Sequence, residues 1–260
     1  MKKLLSALAI AGLFASASVQ ATPVALELSL VIDVSGSIDA NEYNTQRLGY
    51  AAAFANPTVI ANILSFAGAG GIAVNVVQFS ENAAQSIGWT QLTTAAQIAA
   101  FSTALSTMAR NGSIGSGTDV EDGMAFGVSS LSGNGYEGAR QIVDVSGDGL
   151  HNIDPACSQT PTDACAATQA VRNSAFANGI TINGLAIEGD FGATGVTDWY
   201  NLNVRTSNGF VETTTGFAQF EDAVTRKIGR EIQLVPEPGS LALLGIGLAG
   251  AFGLRRRKEA

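Results

Sequence analysis

The sequence predicts an α/β fold: a doubly wound, mostly parallel central sheet, flanked by helices on both faces, with one short antiparallel edge strand. Three observations carry this. Apolar runs of strand length recur between residues 22 and 234, stretches of helical length separate them, and capping residues or glycines punctuate the junctions. Near-continuous apolar strands belong to sheets covered on both faces. Their alternation with helices indicates parallel crossover units.

Leu26–Ile32 is the first strand. Ala40–Phe54 reads as a helix, with Tyr43, Leu48 and Ala51–Phe54 among its apolar positions, and Pro57 opens a further turn running to about Phe66. The run Ala67-Gly68-Ala69-Gly70-Gly71 ends it, because consecutive glycines supply positive φ and do not sustain a helix. Ile72–Phe79 is the second strand, Gln85–Trp89 the short edge strand, and Thr94–Met108 a helix capped by Thr93 or Thr94. A Gly112–Gly117 loop precedes the helix Val120–Leu131. There follow a strand at Gln141–Val145, a helix at Asp163–Ala177, and a strand opening at Gly179-Ile180 and closing at Ile187. A helix at Gly195–Asn203, a strand at Gly209–Glu212 and a helix at Gly216–Ile232 complete the series. No repeat of 20–50 residues is evident.

The two ends read differently from this domain (residues 22–234). Lys2 and Lys3 precede the apolar stretch Leu4–Phe14, and Val19-Gln20-Ala21 forms a small-residue cleavage site, so residues 1–21 are expected to be a secretory signal peptide. At the other end, Val235-Pro236-Glu237-Pro238 leads into the uncharged stretch Gly239–Leu254, and Arg255-Arg256-Arg257-Lys258 follows. Sixteen residues at the helical rise span about 24 Å, slightly short of a hydrocarbon core, and flanking arginines can snorkel to the interface. The basic cluster is expected to stay cytoplasmic while the preceding chain is exported.

Charge narrows the partners. Setting aside the six cations of the two ends leaves 8 of the 14 basic residues, and setting aside Glu237 and Glu259 leaves 20 of the 22 acidic ones. The domain therefore carries about −12, which argues against nucleic acid or anionic lipid as partner and is compatible with cation binding. Cys157 and Cys165, with seven residues between them, are the only cysteines. In an exported chain a local disulfide is expected, stapling the loop between residues 152 and 168. With His151 as the single histidine, a zinc site is not expected.

Three oxygen-rich segments fall where an open α/β sheet collects ligands, at the carboxyl ends of strands or at a neighbouring helix start. Asp33, Ser35 and Ser37 follow the first strand, Thr118 precedes a helix, and Asp148 follows the strand Gln141–Val145. Hard oxygen donors with few carboxylates suit Mg²⁺, with Mn²⁺ or Ca²⁺ as alternatives, and leave coordination positions for an outside ligand. Asp144 rivals Asp148, since Asp144-Val145-Ser146-Gly147 repeats the pattern Asp33-Val34-Ser35-Gly36. Asp119, Glu121 and Asp122 read as helix-start carboxylates that complement the dipole. Trp89 and Trp199 read as packing residues, Arg47 and Arg140 as partners of carboxylates, and His151 as a loop histidine near the site.

This combination resembles the von Willebrand factor type A (VWA) domain, whose hallmark is Asp-x-Ser-x-Ser with a later threonine and aspartate. Asp33, Ser35 and Ser37 match the first segment, Thr118 in Gly-Ser-Gly-Thr-Asp the second, and Asp148 in Ser-Gly-Asp-Gly the third. The resemblance extends over Leu26–Ile232 and implies a Rossmann-like sheet with a metal-ion-dependent adhesion site. Ser35–Tyr50, Val143–Asn152 and Ile182–Ile187 look like a bacterial branch of that family, DUF1194. Gly147 stands where the family commonly has threonine. The tail, residues 235–260, resembles the PEP-CTERM sorting signal of Gram-negative bacteria. That implies recognition by an exosortase, an inner-membrane anchor before processing, and delivery to the cell surface or extracellular matrix.

By this resemblance Ser35, Ser37 and Thr118 would touch a divalent cation, Asp33 and Asp148 would contribute directly or through water, and a partner's carboxylate would complete the shell. The expected function is cation-dependent binding of a protein or another anionic surface ligand, without catalysis. Two alternatives stand beside it: a metal-assisted hydrolase, and an envelope or matrix component whose metal only stabilises the fold. There is no Gly-x-Ser-x-Gly elbow and no phosphate-binding Gly-x-x-x-x-Gly-Lys-[Ser/Thr].

Overall fold

The computed structural model describes residues 20–157 and 160–233. The expected signal peptide, except its last two residues, and the expected membrane segment and sorting tail lie outside the described residues. Among those described, no helix is long and apolar enough to cross a membrane.

Eight strands and seven helices form here: β1 (Thr22–Val24), β2 (Leu26–Asp33), α1 (Ala40–Ala55), α2 (Pro57–Ser65), β3 (Ile72–Phe79), β4 (Ala83–Leu92) and α3 (Ala95–Thr107), followed by α4 (Val120–Ser130), β5 (Tyr136–Gly138), β6 (Gln141–Gly147), α5 (Ala166–Ala177), β7 (Thr181–Ile187), α6 (Gly195–Asn203), β8 (Val211–Thr214) and α7 (Phe220–Gln233). The main sheet runs β4-β3-β2-β6-β7-β8, and only β4 is antiparallel to its neighbour.

Alternation along β2 divides the core. Leu28, Leu30 and Ile32 face one side, where Tyr50 and Phe54 of α1, Phe101 of α3 and Phe220 and Ile228 of α7 pack. Val31 faces the other, with Met124 of α4, Ala175 of α5 and Trp199 and Tyr200 of α6. Both faces of β2 and β3 are fully buried, which explains their mostly apolar character, with Glu27, Ser29, Asn75 and Gln78 buried among the apolar side chains.

Helix starts follow local chemistry. Asp39 and Glu42 form a reciprocal capping box on α1, Thr94 and Gln97 do the same on α3, and Asn56 caps α2 ahead of Pro57. Gly70 and Gly71, at φ +86° and +69°, turn the chain into β3 as their sequence predicts.

Several boundaries differ from expectation. The edge strand β4 is ten residues long rather than five, because it follows β3 across two register shifts. Helix α5 starts three residues late, at the disulfide, and its N-cap Cys165 offers no side-chain cap bond. Strand β8 lies two residues further on, and a 3-10 turn over Phe217–Gln219 precedes α7. The pair β1–β5 is an addition: Glu27, buried at the foot of β2, accepts hydrogen bonds from Asn134 Nδ2 and Gly138 N and so ties β5 in place.

Candidate metal centre

Strands β2, β3, β6 and β7 are parallel, so the segments that leave them gather along one edge of the sheet. The turn after β2 is held by its own carboxylate: Ser35 N donates to Asp33 Oδ1 at 2.8 Å. Arg110 fixes the same turn from outside, one terminal nitrogen donating to the carbonyls of Val34 and Ser35, each at 2.8 Å. Gly36 N donates to Ser116 O at 2.7 Å, which draws in the loop before α4. Glu81, after β3, accepts from Ser116 N and Gly117 N.

All five predicted residues meet here. Thr118 Oγ1 donates to Ser35 Oγ at 3.1 Å, the hydroxyls of Ser35 and Ser37 lie 3.2 Å apart, and Ser37 Oγ donates to Asp148 Oδ1 at 2.7 Å. Asp33 and Ser35 are fully buried and Thr118 nearly so, while Ser37 is exposed and Asp148 half-buried. The cluster is therefore a row of oxygens running from the interior to solvent.

Its electrostatics are unbalanced. Burial, then the nearby charge of Asp148, pushes the Asp33 carboxyl up to about 7. Burial also raises Asp148, and Glu42 and Asp190 add to the effect. Asp33 Oδ2 is buried without a hydrogen-bond partner. An unpaired buried carboxylate oxygen is costly, and a cation is the group that would satisfy it. The donor set of three hydroxyls and two carboxylates is the hard-oxygen chemistry that Mg²⁺, Mn²⁺ or Ca²⁺ takes. The residues present fit such an ion.

Asp144 and Asp148 separate. Asp144 lies inside the sheet's other layer against Lys227 of α7, and Asp148 is the residue that reaches the hydroxyl row. Gly147 is required by that packing: a Cβ there would lie 2.7 Å from both Asp33 Oδ2 and the Tyr200 hydroxyl. The threonine common at this position does not fit beside this Asp33.

Asn152 is a site residue that the sequence did not reveal. It accepts from Thr118 N at 2.8 Å, its Nδ2 reaches Thr118 Oγ1 at 3.3 Å, and its own backbone N–H donates to Thr118 O. A single amide in a loop gives no periodic or motif signal; its place four residues after Asp148 was the only pointer. His151 is buried beside it. Its Nε2 accepts from Asp154 N, and its Nδ1 lies 3.4 Å from Asp119 Oδ1. Cys157 and Cys165 are joined, closing the loop beyond.

Other readings are settled by position. Asp119 caps α4, with Glu121 and Asp122 in its first turn, as expected. Trp199 is fully buried and Trp89 half-buried, its Nε1 donating to Ser130 O. Arg47 and Arg140 depart from expectation: Arg47 bonds Asn44 Oδ1 and Arg140 the carbonyl of Glu231, neither forming an ion pair among the described residues.

Comparison with known proteins agrees with this architecture. Residues 23–236 match the family described as "Protein of unknown function (DUF1194)", and residues 234–258 match the PEP-CTERM protein-sorting motif. No curated protein matches. Among solved structures, proximal thread matrix protein 1 from the mussel byssus is 20% identical, with a TM-score of 0.56 over 80% of this chain and 48% of its own. One form of that protein has a zinc-occupied MIDAS motif. The pilus adhesin SpaC from Lactobacillus rhamnosus GG is 18% identical, with a TM-score of 0.55 over 81% of this chain and 30% of its own. A von Willebrand factor type A protein from Catenulispora acidiphila is 16% identical, with a TM-score of 0.51 over 82% of this chain and 43% of its own. The chain spans less than half the length of each, and at these identities the likeness is one of fold. The matched region covers nearly all of the described residues, and the chain belongs to the DUF1194 family, a VWA-like family, with a PEP-CTERM motif at its C-terminus.

Proposed function

We propose that this protein is an exported, surface-directed binding module that captures an anionic ligand through a divalent cation held by Asp33, Ser35, Ser37, Thr118 and Asp148. One observation carries the reading. Five oxygen-bearing side chains from three separate loops form a row open to solvent, and its buried end, Asp33 Oδ2, has no partner. When bound, the ion would supply an electrophilic centre that hydroxyl donors leave uncompensated. The chain's own residues do the rest: Arg110 and Asn152 hold the turn and Thr118 in place, and Asp33 and Asp148 provide the negative charge.

The sorting motif supports export and exosortase processing. Two proteins of similar fold, a thread matrix protein and a pilus adhesin, accord with a surface role. A binding role also fits the residues around the row. His151 has one ring nitrogen occupied by a backbone N–H and the other turned to Asp119, so it is not placed as a general base.

Thermal unfolding of the purified protein with Mg²⁺, Mn²⁺, Ca²⁺ or EDTA tests the cation. At least one ion is expected to raise the midpoint by several degrees in the wild type and to leave Asp33→Ala unmoved. An equal response of both proteins, or none in the wild type, would overturn the assignment.

A further inference from the structure

A second polar site lies at the opposite end of the domain. Helices α5 and α6 both start at the carboxyl edge of the sheet and run back, so their last turns lie far from the hydroxyl row. Between those turns is an open cleft of about 520 Å³, lined by Arg172, Asn173, Phe176, Asn201, Arg205 and Ser207. That volume is in the range of small-ligand sites.

Two arginines line this cleft, and like Arg47, Arg110, Arg140 and Arg230 they form no ion pair among the described residues. The domain is strongly acidic, yet neither has a carboxylate within salt-bridge distance among the described residues, whereas Arg226 pairs with Glu212 and Lys227 with Asp144 and Glu231. Both guanidinium groups are instead oriented by neutral acceptors. Arg172 is held by Asn173 Oδ1 and the carbonyl of Leu202, and Arg205 by Asn201 Oδ1 and the carbonyl of Thr206. These bonds use three of Arg172's five N–H groups and two of Arg205's, leaving donors on both. Partial burial, and then the charge of Arg205, lower the Arg172 pKa.

Beside them Phe176 is 47% exposed, a flat apolar ring at the rim of a polar cleft. The walls are the last turns of α5 and α6 and the loop from Arg205 to Ser207, and no β-strand residue lines the cleft for an extended peptide to pair with. Recognition falls on side chains: a pair of guanidinium forks, amides, a hydroxyl and an aromatic face. We infer that this cleft binds an acidic saccharide, a sugar ring whose carboxylate bridges Arg172 and Arg205 while its apolar face covers Phe176. Arginine forks match a carboxylate in geometry as well as charge.

Titration of the full-length protein with an oligouronate, followed calorimetrically and by NMR, tests this. The wild type is expected to bind the oligouronate in a salt-sensitive manner. It should bind a neutral oligosaccharide of equal length, inorganic phosphate and an acidic peptide at least tenfold more weakly. Arg172→Gln and Arg205→Gln should each weaken oligouronate binding tenfold or more. Phe176→Ala, which keeps the charge and alters only an exposed ring, should weaken it several-fold and serves should an arginine variant fail to fold. Binding should survive EDTA and Asp33→Ala, which separates it from the metal centre. No binding by the wild type, equal binding of phosphate or peptide, indifference to Phe176→Ala and the arginine variants, or loss with Asp33→Ala would each overturn the proposal.

Discussion

Strand β6 and the turn after it carry two aspartates four residues apart, and the fold treats them in opposite ways. Asp144 is fully buried against Lys227, which also bonds Glu231 Oε1 at 2.7 Å, and Asn183 Nδ2 donates to the same oxygen. Burial opposes the charge of Lys227, but Asp144 and Glu231 more than offset this and raise its pKa. Asp148 has no lysine. Its cluster with Asp33 reaches solvent, and the nearby Arg110 spends its hydrogen bonds on carbonyls rather than carboxylates. One acidic group has its counter-charge built into the chain; the other has no ion-pair partner among the described residues. The contrast explains why the same Asp-Val-Ser-Gly pattern yields a structural residue at Asp144 and a candidate ligand set at Asp33.

The sharpest way to break the comparison is to remove the built-in cation. Lys227→Met leaves Asp144 buried and unpaired, and the loss should be about 3–5 kcal/mol in urea unfolding, not restored by Mg²⁺. At the open cluster the outcome should be reversed. Asp33→Asn removes a buried charge that the metal-free fold does not neutralise, so stability in EDTA should hold or rise. Mg²⁺ affinity, read by calorimetry, should meanwhile fall by more than about 100-fold, beyond the loss typical of residues that only support ligands.

Proton linkage separates the two clusters further. The Asp33 pKa is raised in the fold to about 7 from an ordinary 3.8. Its favourable contribution is complete below the ordinary value and is lost as pH rises through about 7. Glu231, raised to about 8 first by burial and then by Asp144, loses its contribution over a higher window. In EDTA the melting temperature should therefore receive a falling contribution from Asp33 between about pH 4 and 7, and from Glu231 on to about pH 8. Mg²⁺ should offset the Asp33 part only, so its stabilising effect should grow from pH 5 to 8. A constant Mg²⁺ effect across that range would break the linkage. The smallest expected change is at Asn152: replacement by alanine should weaken Mg²⁺ about tenfold by calorimetry, because the hydroxyl of Thr118 loses its support but not its place in the row.

Much of this was legible in the sequence because periodicity reports burial. Ile72–Phe79 and Gly195–Asn203 have the bounds their patterns suggest, and the Asp33, Ser35 and Ser37 spacing sits where a strand must end. Short elements were not legible: Thr22–Val24 and Tyr136–Gly138 are three residues each, too few to show alternation. The Lys227 cluster was missed for another reason. Lysine and glutamate four apart on a helix ordinarily form an exposed pair. Here, however, they lie in the same stripe as Phe220, Ala223, Val224, Ile228 and Ile232, which is buried throughout. Charged residues on an apolar stripe, with an aspartate inside an Ile-Val strand, were the signal for an internal ion cluster.

The direction of α7 has a consequence for presentation. It descends from the end of β8 to the foot of the sheet, where the carbonyl of Glu231 meets Arg140 just before β6, and β1 is paired at that same foot. Both ends of the folded domain thus emerge on the side facing away from Asp33 and Thr118. A chain continuing past Gln233 therefore leaves the domain from the end opposite its hydroxyl row.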